Sequence, residues 1–223
     1  MSDTNRPNVG NGLLAIHRVL TRGLEITIQY SGTFASAGFP DPQTREGFLL
    51  YARNFVDVLH AHHLTEDELA WPGFREKIPD APYDALIAQH RQMDSLLAEM
   101  SAALAWLDSG EVESRALSRF NRAARGVQDL WHKHIHAEES LFGPAQVVSV
   151  FTPAEHIAMQ QAFTRHLSEH AGPPETAVAF VLYNLSPADR AVISAGMPRE
   201  LTEQLVPVVW KSRWSPMKPF LLD

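Results

Sequence analysis

Eleven histidines and no cysteine set the chemical character of this 223-residue sequence. All the histidines fall between positions 17 and 170. Imidazole is the commonest protein metal ligand. Without thiols the chain cannot build a disulfide, an iron–sulfur cluster, a cysteine zinc site or a thiol nucleophile. Two segments place a glutamate four residues after a histidine, His62 with Glu66 and His134 with Glu138. Residues at i and i+4 are neighbours on one helix face, so both members of such a pair can reach one metal centre. His17 and His90 stand alone among apolar residues.

The elements that must carry these residues are read from apolar spacing and chain breakers. Helices are predicted over residues 11–31, 43–71, 82–108 and 111–143. They are separated by the Gly32 to Pro42 loop, the Lys77 to Pro82 turn and the Asp108-Ser109-Gly110 turn, and the fourth stops at Gly143-Pro144. The fourth carries Leu117, Phe120, Ala124, Val127, Trp131, His134, Glu138 and Leu141 in steps of three and four. The third runs through Tyr83, Leu86, His90, Met93 and Leu97, the second through Phe55, Leu59, His62, Glu66 and Leu69, and the first through Leu13, His17, Leu20 and Leu24. Such a stripe faces the core, so each of four helices turns a histidine inward and two add a glutamate. A fifth helix opens at Thr152-Pro153-Ala154-Glu155, where a cap residue, a proline and an acidic first turn coincide. Shorter pieces follow near 175–184, 187–195 and 198–210, and the tail from Trp214 to Asp223 is expected to be irregular. No strand alternation stands out, so the fold class is all-α.

A buried carboxylate without a partner costs several kcal/mol or gives up its charge, and two in one interior repel each other. A multivalent cation held by both carboxylates and the imidazoles resolves that cost.

The segments His60-Ala61-His62-His63-Leu64-Thr65-Glu66-Asp67 and His132-Lys133-His134-Ile135-His136-Ala137-Glu138-Glu139 share one pattern: His-x-x-x-Glu-acid, then proline six residues after the glutamate, at Pro72 and Pro144. With His17 and His90 they resemble the hemerythrin-like, or HHE cation-binding, family over roughly residues 10–145. The resemblance implies an up-down four-helix bundle over residues 1–150, with 151–223 as additional C-terminal helices packed on it. It implies two non-haem iron ions, oxo- or hydroxo-bridged, with both carboxylates bridging, on the metal ligands His17, His62, Glu66, His90, His134 and Glu138.

Respiratory members of the family carry two histidines one turn apart on the third helix. Here the residues one turn from His90 are Leu86 and Asp94. Four histidines, two bridging carboxylates and a hydroxide fill about ten of about twelve positions on two octahedral irons. His63, Asp94 or water can take a remaining one, and His63 is favoured because it adjoins His62. An extra open position shifts the expectation from simple O2 carriage towards binding or reaction with O2, peroxide or NO. A di-iron oxidase or oxygenase acting on an organic substrate, and an iron or oxygen sensor or storage module, stay open beside it, as does whether the chain is an enzyme. A ferritin-like carboxylate site needs Glu-x-x-His, which the chain lacks.

His60, His132 and His136 fall off the apolar stripes, and His156, Asp67, Glu68 and Glu139 are expected at the surface, Glu139 with a supporting role open. The His166/His170 pair is assigned to a solvated face for want of a third ligand. Tyr30 and Tyr51 have no direction that sequence fixes. The formal charge of −7 and the absence of a Lys/Arg cluster argue against nucleic acid. Residues 1–11 lack a signal-peptide pattern and no apolar run reaches about 18 residues, so no membrane association and a cytoplasmic location are expected. The apolar segment Ala177 to Tyr183 is expected to be buried, against the bundle, over the site or in a homodimer.

Overall fold

The computed structural model describes residues 8–109, 112–194 and 197–222. Residues 110, 111 and 195, on which an expected turn, the expected start of the fourth helix and an expected helix end fall, lie outside them, as does Asp223 of the tail. The described residues form helices and no strand. They comprise α1 (Val9–Ala37), α2 (Pro42–Thr65), α3 (Tyr83–Ser109), α4 (Glu113–Phe142), α5 (Pro153–His170), α6 (Pro174–Tyr183) and α7 (Pro187–Ser194).

Two boundaries differ from expectation for visible reasons. α1 does not stop at residue 31, because its stripe continues through Ser31 and Phe34, both buried. It ends where Gly38 takes a φ of 76° and returns its N–H to the Phe34 carbonyl. α2 is not ended by Pro72. It widens into a π turn over Glu66–Ala70, where the Trp71 N–H reaches the Glu66 carbonyl five residues back, and resumes as Trp71–Arg75. A proline in a regular helix collides with the carbonyl four residues earlier, and the extra residue in the ladder gives its ring room.

α3 packs on α4, α4 on α1, α1 on α2 and α2 on α3. α5 lies across α2 and α1, and α6 packs on α2. The capping box at the start of α5 is present: Thr152 and Glu155 exchange side-chain and backbone hydrogen bonds. The tail is more ordered than expected. Ser215–Phe220 winds as a 3-10 helix against α2 and buries Met217 and Phe220. Their apolar side chains supply the reason, and Gly47 supplies the space, since a Cβ there would collide with the Pro216 carbonyl.

The interior divides into two apolar clusters among the described residues. One holds Leu20, Phe55, Ala61, Met93 and Trp131, together with Phe180, Met217 and Phe220 from the C-terminal segment. The other holds Val9, Ala70, Trp71, Phe74, Leu86, Phe142 and Phe151. On each of the first four helices the boundary between the clusters falls at the inward histidines and glutamates. No helix is long and apolar enough to cross a membrane among the described residues.

Candidate metal centre

Between the two clusters lies a polar layer. His17 comes from α1, His62 and His63 from α2, Glu66 from the first position of the π turn, His90 from α3, and His134 and Glu138 from α4. All seven are at most 5% exposed. Their donor atoms form three overlapping groups, each with its atoms within 4.8 Å of one another: His17, His62, Glu66 and Glu138; Glu66, His90, His134 and Glu138; and His63, His90 and His134. The two glutamates belong to both of the first two groups.

The imidazoles are oriented from behind. His17 Nδ1–H donates to Glu139 Oε1 at 2.9 Å, His63 Nδ1–H to Asp94 Oδ1 at 2.9 Å, and His90 Nδ1–H to Asp67 Oδ1 at 2.8 Å. His134 Nδ1–H donates to Gln89 Oε1 at 2.8 Å. Each partner fixes the tautomer that leaves Nε2 facing the layer, the arrangement that readies histidine for a metal. The partners follow a rule. Asp67 adjoins Glu66 and ties the histidine of α3; Glu139 adjoins Glu138 and ties that of α1; Gln89 adjoins His90 and ties that of α4. The acid in each His-x-x-x-Glu-acid motif therefore serves an imidazole on another helix.

Towards the layer these groups lack partners. His17 Nε2, His62 Nε2, His63 Nε2 and both oxygens of Glu66 and Glu138 are buried without a protein hydrogen bond. Imidazole nitrogens and carboxylate oxygens sit close instead: His17 Nε2 is 3.2 Å and His134 Nε2 2.9 Å from Glu138, and His90 Nε2 is 3.4 Å from Glu66. Unsatisfied buried polar atoms are rare in folded proteins. Here seven of them converge, and their donor chemistry fits a cation.

The electrostatics of the cation-free layer express the same need. Burial, then the charge of Glu138, pushes Glu66 up to about 7. Burial also opposes charge on Glu138, yet the close imidazoles of His134, His17 and His90 hold it well below the usual carboxylate range. Burial disfavours charged His17 and His90, but the surrounding carboxylates raise them to about 9 and about 12. His62 is driven far down by burial and by the charge of His17, and burial lowers His63 to about 4. Protons on His17 and His90 thus stand where a cation's charge would.

The structure brings His17, His62, Glu66, His90, His134 and Glu138 together and adds His63. Asp94 sits behind His63, outside the donor groups. His60, His132 and His136 are exposed, and Tyr51 is turned away, its hydroxyl on Asn184. Three surface expectations are corrected. His156 is buried, because its Nδ1 accepts the Val9 N–H at the start of α1. His166 bridges Glu68 and the Thr65 hydroxyl at 3.0 Å each rather than facing solvent. Asp67 is drawn onto His90.

The family model of the hemerythrin HHE cation-binding domain matches residues 11–145. The chain belongs to that family, and its buried His/Glu layer is compatible with metal binding. No curated protein and no solved structure matches it significantly.

Proposed function

We propose that the chain is a non-haem di-iron protein that binds or reacts with a small oxidant, O2, peroxide or NO. The observation that carries this reading is the sharing of Glu66 and Glu138 between two donor groups. Two carboxylates common to two sets of imidazoles suit two cations held side by side. In this reading His17 and His62 hold one ion, and His63, His90 and His134 the other. His63 then supplies the fifth histidine that α3 lacks. The ring of contacts among α1 to α4 is taken as an up-down four-helix bundle within residues 1–150, with 151–223 as a helical extension packed on it.

A pair of iron ions would supply electrons to an oxidant and a positive field for the charge it gains. The chain's own residues do the rest. Asp67, Asp94, Glu139 and Gln89 keep the Nδ1 protons and so present bare Nε2 atoms. Trp131 lies edge-on to His17, ring centres 5.6 Å apart, and closes the layer from the Leu20 side. The set on the His17 side has one imidazole fewer than the other, so it has room for a small ligand.

The test is metal content with the visible spectrum of the protein grown with iron. About two irons per chain, with bands that change on adding O2, peroxide or NO, is the expected result. One zinc per chain, or no metal, overturns the reading.

A further inference from the structure

A cavity of about 300 Å³ lies beside the polar layer. His62 and Glu66 form part of its wall, next to Trp71 and Phe142. Its far wall is Phe163, Leu167, Ala177, Val181 and Leu185. All five lie beyond residue 145, outside the family match. The C-terminal segment therefore supplies one wall of this cavity from outside the residues that the family model matches.

Size and chemistry select the occupant. A diatomic oxidant needs about one water volume, roughly 30 Å³; the cavity offers about ten times that. Its lining is largely apolar with few polar groups, the usual make-up of a small-molecule site. One of those groups is unspent. Trp71 is 1% exposed, and its Nε1–H has no acceptor in the protein. A buried indole N–H ordinarily finds a partner, and an occupant of the cavity can bring one.

We propose that this cavity binds an apolar organic molecule of roughly ten non-hydrogen atoms bearing one hydrogen-bond acceptor, its body against Leu167 and Val181 and its acceptor on the Trp71 Nε1–H. That the molecule lies beside a redox centre rests on the di-iron reading; the binding itself does not.

The test is calorimetric titration of the full chain, as purified, with 1-octanol, and with 1-butanol as the short control. Thr164 is exposed and lines the cavity, so Thr164→Trp adds bulk that takes up cavity volume from an exposed position rather than from the core. Saturable binding of 1-octanol, much weaker binding of 1-butanol, and a loss of about tenfold or more in Thr164→Trp are expected. Trp71→Phe keeps the ring and removes the N–H, and is expected to weaken 1-octanol about three- to tenfold. No saturable binding by the unmodified chain, or affinity unchanged in Thr164→Trp, overturns the proposal. Unchanged affinity in Trp71→Phe overturns the acceptor contact. Iron content on the same samples separates the two readings: a chain that binds 1-octanol but holds no iron keeps the cavity and loses the redox centre.

Discussion

His90 and His134 meet Nε2 to Nε2 at 3.0 Å, although each already commits its Nδ1–H outward, to Asp67 and to Gln89. Two lone pairs that close repel unless a positive charge lies between them. Glu138 Oε1, 2.9 Å from His134 and 3.6 Å from His90, places a carboxylate beside that point.

Glu138→Ala removes one of the two carboxylates shared by the two His/Glu donor groups. Metal content is expected to fall by about half or more, since each of those groups loses a carboxylate donor. His136→Ala, on the exposed side of the same helix, is expected to leave it unchanged. Elemental analysis of the two variants decides the matter, and full occupancy in Glu138→Ala would contradict the assignment.

Asp94→Asn tests orientation from behind. The amide keeps the size of the side chain but no longer holds the His63 Nδ1 proton as a charged acceptor. Metal affinity is expected to drop on the order of 10- to 100-fold, measured by competition with a chelator. The fold should persist, because Asp94 is partly exposed.

The capping box gives a pH signature away from the layer. Hydrogen bonds from the Thr152 backbone, then Lys77 and the Thr152 hydroxyl, lower Glu155 to about 2. A carboxylate whose folded pKa is depressed stabilises the fold above its ordinary value near 4.5 and loses that contribution as pH falls towards 2. Glu155→Gln is therefore expected to lower the Tm at pH 7 and to differ less from the parent at pH 3. An equal gap at both pH values would contradict this.

Gly47→Ala pushes a methyl group into the Pro216 carbonyl. The Ser215–Phe220 turn must shift and loosen Met217 and Phe220. A loss of about 1–3 kcal/mol is expected in denaturant unfolding, and a loss near zero would show the tail to be loosely held.

Much of the layer was legible because ligands obey helical spacing. His17, His62, Glu66, His90, His134 and Glu138 all sit on apolar stripes, where a polar residue is conspicuous. Their supporting partners were harder to see, although a supporting role was open for Glu139. Asp67, Glu139 and Gln89 lie one residue off the stripe, where surface residues also lie, and their targets are on other helices. The π turn was hidden too, since Pro72 in a sequence reads as an end. His156 and His166 needed knowledge of which face of α5 meets α1 and α2. On that helix Ile157 is exposed while Met159 and Phe163 pack inward.

The polar layer that parts the two apolar clusters also bears on how the molecule comes undone. Each cluster has its own residues from α1, α3, α4 and from α2 or its continuation through the π turn, and the groups between them repel or hold protons until a cation links them. Cooperativity across such a seam depends on what occupies it. Calorimetry of the metal-free chain is expected to show two melting transitions, one for the Trp71–Phe142 end and one for the Phe55–Trp131 end. Loading should fuse them into a single sharper one, so that the cation decides whether the chain unfolds as one body or two.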